Sequence, residues 1–249
     1  MKTRLDKLIV ERGLVPTRER AQALILAGRV LVNEQKLDKP GHSVPDDAPI
    51  RLLGGDLRYV SRGGLKLEAA LAHWNIDLTG RFCCDIGAST GGFTDCMLQH
   101  GASKVLAVDT GYGQIAQTLR DDPRVTLMER TNARLLNSGD LSADISFLAV
   151  DVSFISATLV LGAVLEATSA GSALRAGIEA VILIKPQFEA GRERIGKGGI
   201  VRDPAAHQLA IDRVRTCAAE LGGQNLEVID SPITGAEGNR EFLLHAVWP

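Results

Sequence analysis

Continuous runs of apolar residues, each closed by a charged residue or a turn, recur along the chain from residue 81 onwards. Runs of this kind are typical of parallel strands that are buried on both faces of a sheet. The predicted strands are Arg81–Ile86, Lys104–Asp109, Val125–Met128, Ile145–Asp151, Ala180–Lys185, Leu226–Ile229 and Phe242–Val247, and the predicted helices are Phe93–His100, Gly111 to about Arg120, and Asp203–Leu221. This alternation predicts an α/β fold with a Rossmann-like, doubly wound sheet.

The first sixty residues follow a different pattern. Two short amphipathic helices are predicted, and the second is capped by Thr17 and ended by Gly28. Arg29–Asn33 then alternates apolar and polar positions as a strand does. A glycine-containing linker at residues 54–60 precedes the larger domain. We therefore predict a small α+β domain at residues 1–58 and an α/β domain at residues 59–249.

Charge is distributed unevenly between these two domains. The whole chain has 249 residues and a net charge of −2. Residues 1–30 alone carry seven basic side chains against three acidic ones, a net charge of +4. A basic end on an otherwise acidic chain indicates a nucleic-acid-binding module.

Composition excludes several other classes of protein. No signal peptide opens the chain, and its most apolar stretch, Phe154–Leu165, is too short to span a bilayer. We expect a cytoplasmic protein that needs no membrane. The four cysteines form no Cys-x-x-Cys pair and the five histidines form no ligand-spaced pair, so no metal site is predicted.

A glycine-rich turn follows the first buried strand directly and places an acid two residues before its first glycine. The dinucleotide fingerprint, Gly-x-Gly-x-x-Gly, has a different spacing. An acid at this point would repel a pyrophosphate but would attract the ammonium group of S-adenosylmethionine. The pattern therefore favours S-adenosylmethionine over NAD. The cofactor-binding residues predicted in this turn are Asp85, Gly87, Ala88, Ser89, Thr90, Gly91, Gly92 and Phe93.

A second acid, Asp109, ends the next strand and is placed to accept hydrogen bonds from ribose hydroxyls. Thr131 and Asn132, after the third strand, are predicted to contact the adenine. The alternative is that both acids only cap helices, but their order at successive strand ends favours a ligand site.

Four charged side chains are predicted on one side of the sheet: Lys66, Asp151, Lys185 and an acid before the last strand, either Glu237 or Glu241. Methyl transfer to a ribose 2′-hydroxyl needs a base, and a lysine can serve when its surroundings favour the neutral amine. The carboxylates would hold the two ammonium groups in position. Taken singly, each of these residues is also an ordinary charge at a strand end.

Residues 189–202 form a long loop that is rich in glycine and arginine. It is predicted to be either a lid over a polyanion or a solvated excursion, and its length beside the site favours the lid.

Two stretches of the chain resemble known families. The pattern Arg4-Leu5-Asp6, Arg18, Ala21, Leu24-Ile25, Gly28-x-Val30-x-Val32-Asn33 resembles the S4 RNA-binding module. Residues 61–249 resemble the FtsJ/RrmJ-type 2′-O-ribose methyltransferases, through Ser61–Lys66, Asp85–Thr94, Asp151-x-Ser153-Phe154, Lys185-Pro186-Gln187-Phe188-Glu189 and Gly238-Asn239-x-Glu241. The whole chain is similar to the TlyA family, historically named haemolysin A.

This resemblance implies a Lys-Asp-Lys-Glu catalytic tetrad of Lys66, Asp151, Lys185 and Glu241, with Glu241 chosen over Glu237 by the Gly-Asn-x-Glu match. It also implies S-adenosylmethionine as the cofactor. The implied substrate is the ribose of a cytidine in ribosomal RNA, either as free RNA or within a ribosomal subunit. The residues expected to bind RNA are Arg4, Arg18, Arg20, Arg62, Arg192, Arg194 and Lys197.

The resemblance also suggests which RNA is modified. The chain lacks room for the terminal segments of the family's longer form, so large-subunit RNA is expected. The alternatives are a membrane-active haemolysin and a non-catalytic RNA-binding or assembly protein. No strongly amphipathic cationic segment is visible, and all four tetrad positions are filled, so methyl transfer is favoured. The oligomeric state stays open.

Overall fold

The computed structural model describes residues 2–15, 17–53, 58–168 and 177–249. The chain divides into two compact units, residues 1–57 and 58–249. Most of the predicted linker, residues 54–57, lies outside the described residues. The two units are described separately below.

The N-terminal unit packs two helices against short antiparallel strands. Its buried core includes Leu5, Ile9 and Ile25. The second helix begins where predicted, because the side chain of Thr17 accepts a hydrogen bond from the backbone N–H of Arg20 at 3.2 Å. The elements are β1 (Lys2–Arg4), α1 (Leu5–Glu11), α2 (Arg18–Leu26), β2 (Val30–Val32), β3 (Gln35–Lys36), β4 (Ser43–Pro45) and β5 (Ile50–Leu52), with β1 paired to β4 and β2 paired to β3 and β5.

The C-terminal unit is built on a seven-stranded sheet with the order β11-β12-β10-β9-β6-β7-β8. Strands β8, β7, β6, β9 and β10 run parallel, while β12 is antiparallel to both of its neighbours. The α/β fold with a mostly parallel, Rossmann-like sheet is therefore confirmed. The strands are β6 (Phe82–Ile86), β7 (Lys104–Val108), β8 (Val125–Met128), β9 (Ile145–Val150), β10 (Ile178–Ile184), β11 (Gln224–Asp230) and β12 (Phe242–Trp248).

Helices cover both faces of this sheet. One buried cluster holds residues of α3 and α4, and the other holds residues of α6 and α8. Neighbouring residues of one strand join different clusters, as Cys83 and Cys84 do, because successive side chains point to opposite faces. The helices are α3 (Gly63–Trp74), α4 (Gly92–Gln99), α5 (Gln117–Arg120), α6 (Thr158–Ala167), α7 (Pro186–Glu189) and α8 (Pro204–Glu220).

The predicted helix from Gly111 to about Arg120 is wrong over its first half, since α5 covers only Gln117–Arg120. Side-chain carboxylates take the backbone N–H groups that would begin such a helix. Asp109 Oδ1 accepts from Gly111 N at 2.6 Å, and Glu129 Oε1 accepts from Gly113 N at 2.8 Å. The segment therefore turns around Asp109.

Candidate active site

The glycine turn after β6 lies directly against the chain that leaves β9. Gly87 has φ +89°, and a Cβ at this position would lie 2.5 Å from the backbone oxygen of Asp151. Only glycine fits both the left-handed backbone and this close approach. The two loops are thereby held together at the carboxyl edge of the sheet, where ligands bind in folds of this class.

Asp85 lies beneath this turn and is fully buried. Its Oδ2 accepts a hydrogen bond from Thr94 Oγ1 at 2.6 Å. Its Oδ1 is buried and has no hydrogen-bond partner among the described residues. Burial raises the pKa of Asp85 to about 7, with Asp151 adding to the rise and the Thr94 hydroxyl opposing it. A buried carboxylate with an unused oxygen fits a cationic ligand group such as the ammonium of S-adenosylmethionine.

Asp109 is oriented by two backbone N–H groups. Its Oδ1 accepts from Gly111 N at 2.6 Å, and its Oδ2 accepts from Ser89 N at 2.8 Å. Each carboxylate oxygen keeps a second lone pair, so this side chain can still accept hydrogen bonds from a diol. The Asp109 backbone oxygen accepts from Thr131 N at 2.9 Å, which ties the predicted ribose and adenine positions together.

Two adjoining cavities receive most of the predicted site residues. The first, about 290 Å³, is lined by Lys66, Asp151 and, from the glycine turn, Asp85, Gly87, Ala88, Ser89, Thr90, Gly92 and Phe93. The second, about 330 Å³, is lined by Gly87, Ser89, Asp109, Thr131, Asn132, Asp151 and Lys185. Asp151, Gly87 and Ser89 border both cavities. One ligand spanning both would touch all of these residues.

Gly91 is the predicted cofactor residue that lines neither of these cavities. It precedes α4 with φ +94°, and a Cβ there would lie 2.3 Å from the Leu119 side chain. Its place in the turn is thus explained by backbone conformation and packing.

The four predicted tetrad residues form two ion pairs. Lys66 Nζ lies 2.6 Å from Glu241 Oε2, and both side chains are buried. Lys185 Nζ lies 2.5 Å from Asp151 Oδ1. Each lysine reaches a different cavity, while Asp151 borders both. The arrangement places the two lysines on adjoining cavities that share Asp151 in their lining.

Sequence reasoning missed Ser153 and Glu189 as supporting side chains. Lys185 Nζ donates to Ser153 Oγ at 2.6 Å. Glu189 accepts from Ser156 Oγ at 2.5 Å and from Ala157 N at 2.7 Å, and so fixes the loop that carries Ser153. Burial raises the pKa of Glu189. Both residues stand in the stretches that resemble the FtsJ/RrmJ-type methyltransferases, Asp151-x-Ser153-Phe154 and Lys185-Pro186-Gln187-Phe188-Glu189, but nothing in the sequence was a reason to assign them a role.

Two of the arginines expected to bind RNA are already engaged within the N-terminal unit. Arg4 and Arg18 lie 3.0 and 2.9 Å from Oδ2 of Asp6, which is fully buried, and Gln22 donates to the same oxygen at 2.9 Å. The Arg4 hydrogen bond is the main cause that holds the pKa of Asp6 well below its usual range. Asp6 therefore orients both arginines, and their role in RNA binding stays a prediction. About half of each side chain stays exposed, 48% and 45%, which leaves N–H groups available.

Arg20 follows Arg18 on the first turn of α2. In the C-terminal unit, Arg62 lines the first cavity at the start of α3. Arg192, Arg194 and Lys197 are exposed on two short 3₁₀ turns, Arg192–Arg194 and Lys197–Gly199, and Arg194 lies 3.6 Å from Asp203.

Within the described ranges, no group of three or more His, Cys, Asp or Glu side chains could hold a metal ion. A search of the same residues finds no helix long and apolar enough to cross a membrane.

The chain matches two family descriptions, FtsJ-like methyltransferase over residues 59–248 and S4 domain over residues 3–49. It is 49% identical over 249 residues to the putative rRNA methyltransferase YqxC of Bacillus subtilis, covering 100% of this chain and 86% of that protein. The 16S/23S rRNA (cytidine-2′-O)-methyltransferase TlyA of Mycobacterium tuberculosis is 41% identical over 244 residues, which are 98% of this chain and 89% of that one.

The 23S rRNA (cytidine-2′-O)-methyltransferase TlyA of Campylobacter jejuni is 35% identical over 191 residues, 76% of this chain and 71% of that one. Among solved structures, a putative hemolysin from Streptococcus thermophilus aligns with a TM-score of 0.75 and 45% identity, covering 99% of this chain and 88% of that one. The resemblance to the TlyA family is thereby confirmed, as are methyltransferase activity and S-adenosylmethionine as the cofactor.

Proposed function

We propose that this chain, which belongs to the FtsJ-like methyltransferase family and carries an S4 domain, methylates the ribose 2′-hydroxyl of a cytidine in large-subunit ribosomal RNA. The observation that carries the proposal is the pair of lysine–carboxylate contacts beside two adjoining cavities, Lys66 with Glu241 and Lys185 with Asp151. Cytidine and ribosomal RNA come from the names of the TlyA relatives, and both of those names include 23S RNA.

The residues of the glycine turn would hold the cofactor. Asp85 would bind the ammonium group, Asp109 would accept hydrogen bonds from the ribose hydroxyls, and Thr131 and Asn132 would contact the adenine. Bound here, S-adenosylmethionine supplies a methyl group on a sulfonium centre. Asp151 borders both cavities, so the residues that would hold the cofactor adjoin those that would act on the ribose.

Lys185 is the residue we assign as base. In its neutral form it would accept the proton of the 2′-hydroxyl as the bond between the ribose oxygen and the methyl carbon forms and the sulfur–methyl bond breaks. Asp151 and Ser153 fix the position of its Nζ. Lys66, held by Glu241, stabilises the negative charge that develops on the ribose oxygen. Alignment of the hydroxyl with the methyl group supplies much of the remaining acceleration.

RNA binding is assigned to exposed basic side chains in both units. In the S4 domain, Asp6 orients the half-exposed side chains of Arg4 and Arg18, and the half-buried Arg20 lies on the same helix as Arg18. Arg62 and the loop that carries Arg192, Arg194 and Lys197 supply further positive charge in the methyltransferase domain. Contacts of this kind bind phosphates and so set position and affinity without reading sequence.

The test is to incubate purified small and large ribosomal subunits, taken from cells that lack the modification, separately with the protein and cofactor labelled in its methyl group. Label in the RNA of the large subunit is expected. Comparable label on the small subunit would overturn the choice of subunit, and no label on either would overturn the function.

A further inference from the structure

Asn239 is a buried amide whose two polar atoms both bind the same neighbouring segment. The residue is 1% exposed. Its Oδ1 accepts from Val201 N at 2.9 Å, and its Nδ2 donates to the Gly199 backbone oxygen at 2.9 Å. One side chain therefore binds one backbone acceptor and one backbone donor near the end of the 189–202 loop.

Both ends of this loop are buried and its middle is exposed, since Glu189 and Ala190 at its start are buried like Val201 near its end. Val201 is buried in the core, and its backbone oxygen is 2.9 Å from Nε2 of His207, which is also buried. Arg192 and Lys197, further along the loop, are exposed. The loop is thus held at both ends, through Glu189 at its start and through residues 199–201 near its end, and its exposed cations lie between these two points.

The segment that carries Asn239 also reaches the catalytic site. Two residues later, Glu241 pairs with Lys66 at 2.6 Å. A Cβ on Gly235 would lie 2.5 Å from Glu241 Oε1, so the turn that begins this segment packs against the same carboxylate. Its neighbours Ile233, Thr234 and Ala236 line the first cavity. A shift of Asn239 would therefore move both the 189–202 loop and the segment that carries Glu241.

We infer that Asn239 is a positioning residue that fixes the basic loop relative to the Lys66–Glu241 pair, so that RNA held by the loop presents its ribose in register with the site. The inference rests on the proposed function, because the loop must contact the RNA substrate. Misplacement of about 1 Å can cost about 100-fold in rate, so a short, doubly bonded connection of this kind matters for turnover.

The chemistry of the amide suggests the variants. Asn239→Ala removes both hydrogen bonds. Asn239→Asp keeps the shape and the acceptor for Val201 N, but it cannot donate to the Gly199 oxygen and places a negative charge beside it. Gln208→Ala is the matched control, because Gln208 is exposed on α8 beside His207 and bonds only across the helix surface to Asp212.

The experiment measures rRNA methylation by the full-length wild type and these variants, together with S-adenosylmethionine affinity and amide exchange at residues 191–202. For both Asn239 variants we expect faster exchange in the loop, unchanged cofactor affinity and a single-turnover rate lowered by about 10- to 100-fold. Gln208→Ala should match the wild type. Unchanged loop exchange, or an unchanged rate, would overturn the inference, and a wild type that is inactive on rRNA would instead refute the proposed function.

A double-mutant cycle separates positioning from a general loss of structure. Asn239→Ala is combined with Arg192→Ala and Lys197→Ala, and the apparent affinity for RNA is measured. If Asn239 acts through the loop, its substitution adds little once the loop cations are gone. Fully additive effects would overturn the inference. Should Asn239→Ala fail to fold, the same cycle is run with Asn239→Asp.

Discussion

At the scale of single residues, the buried carboxylate of Asp85 makes a prediction about pH. Burial raises its pKa to about 7 in the free protein, so below that pH the side chain carries a proton. Pairing with an ammonium group requires that proton to leave. We therefore expect affinity for S-adenosylmethionine to fall by about tenfold per pH unit between about pH 7 and pH 5. Calorimetry across this range measures it.

Asp85→Asn supplies the control, because the amide keeps the shape without titrating. It should bind more weakly at pH 7 and show a flat pH profile. Because its pKa is raised to about 7, Asp85 binds its proton more tightly in the folded protein than in the unfolded chain. The free energy of unfolding that this proton contributes is therefore lost as the pH rises through about 7. Without cofactor, Asp85→Asn should therefore melt above the wild type at about pH 8. A pH-independent wild-type affinity would contradict the role of Asp85.

The two lysines should differ in what their removal costs. Lys185→Ala is expected to keep cofactor and RNA binding but to lose single-turnover rate by about 100- to 10,000-fold. Lys66→Ala should also lower the free energy of unfolding, because it leaves Glu241, which is 2% exposed, buried without its cation. If Lys185→Ala retained a near wild-type rate while Lys66→Ala did not, the roles of the two lysines would have to be exchanged.

At the scale of elements, the contact between the loops after β6 and β9 is a structural requirement of the site. Gly87→Ala should lower cofactor affinity and turnover together, and should cost about 1–3 kcal/mol of stability, because its Cβ would meet the Asp151 backbone oxygen. Gly139→Ala is the matched control: its φ is also positive, +84°, but nothing lies within 4 Å of its Cβ. The Gly139→Ala protein should be destabilised yet bind the cofactor with wild-type affinity. If Gly87→Ala bound the cofactor as tightly as Gly139→Ala, the contact between the two loops would not be required for the site.

The elements also show what could be predicted from sequence. The parallel strands were predicted to within a few residues, because their apolar runs end in Asp109, Asp151 and Lys185. Helix α6 was not predicted, since its sequence is apolar nearly all round and shows no period. The turn at residues 111–116 differs from the predicted helix because the side chains of Asp109 and Glu129 accept hydrogen bonds from its backbone, and Glu129 is 16 residues away from its donor Gly113.

Contacts between side chains that are far apart in the sequence could not be predicted from local sequence patterns. Lys66 and Glu241 are 175 residues apart, and only the order of strands in the sheet brings α3 beside the start of β12. The choice of Glu241 over Glu237 came from resemblance, and the contact with Lys66 now gives it a physical basis. The engagement of Arg4 and Arg18 by Asp6 was likewise missed, although all three stood in the pattern that resembled the S4 domain.

At the scale of the whole molecule, the division into two compact units predicts separable functions. Deleting residues 1–57 should leave a folded domain with wild-type affinity for S-adenosylmethionine but little methylation of rRNA. In the full-length protein, the part of the RNA affinity that residues 1–57 contribute should fall steeply as the salt concentration rises, because phosphate contacts release counterions. Filter binding at several salt concentrations checks this, and full activity of the truncated protein on ribosomal RNA would contradict it.

The most direct test of methyl transfer to a cytidine ribose is nucleoside analysis of the RNA product. Large-subunit RNA is treated with cofactor and either the wild type or Lys185→Ala, digested to nucleosides and examined by mass spectrometry. We expect 2′-O-methylcytidine to appear with the wild type and to be nearly absent with Lys185→Ala. A methyl group found on a base, or on the ribose of another nucleoside, would contradict the account.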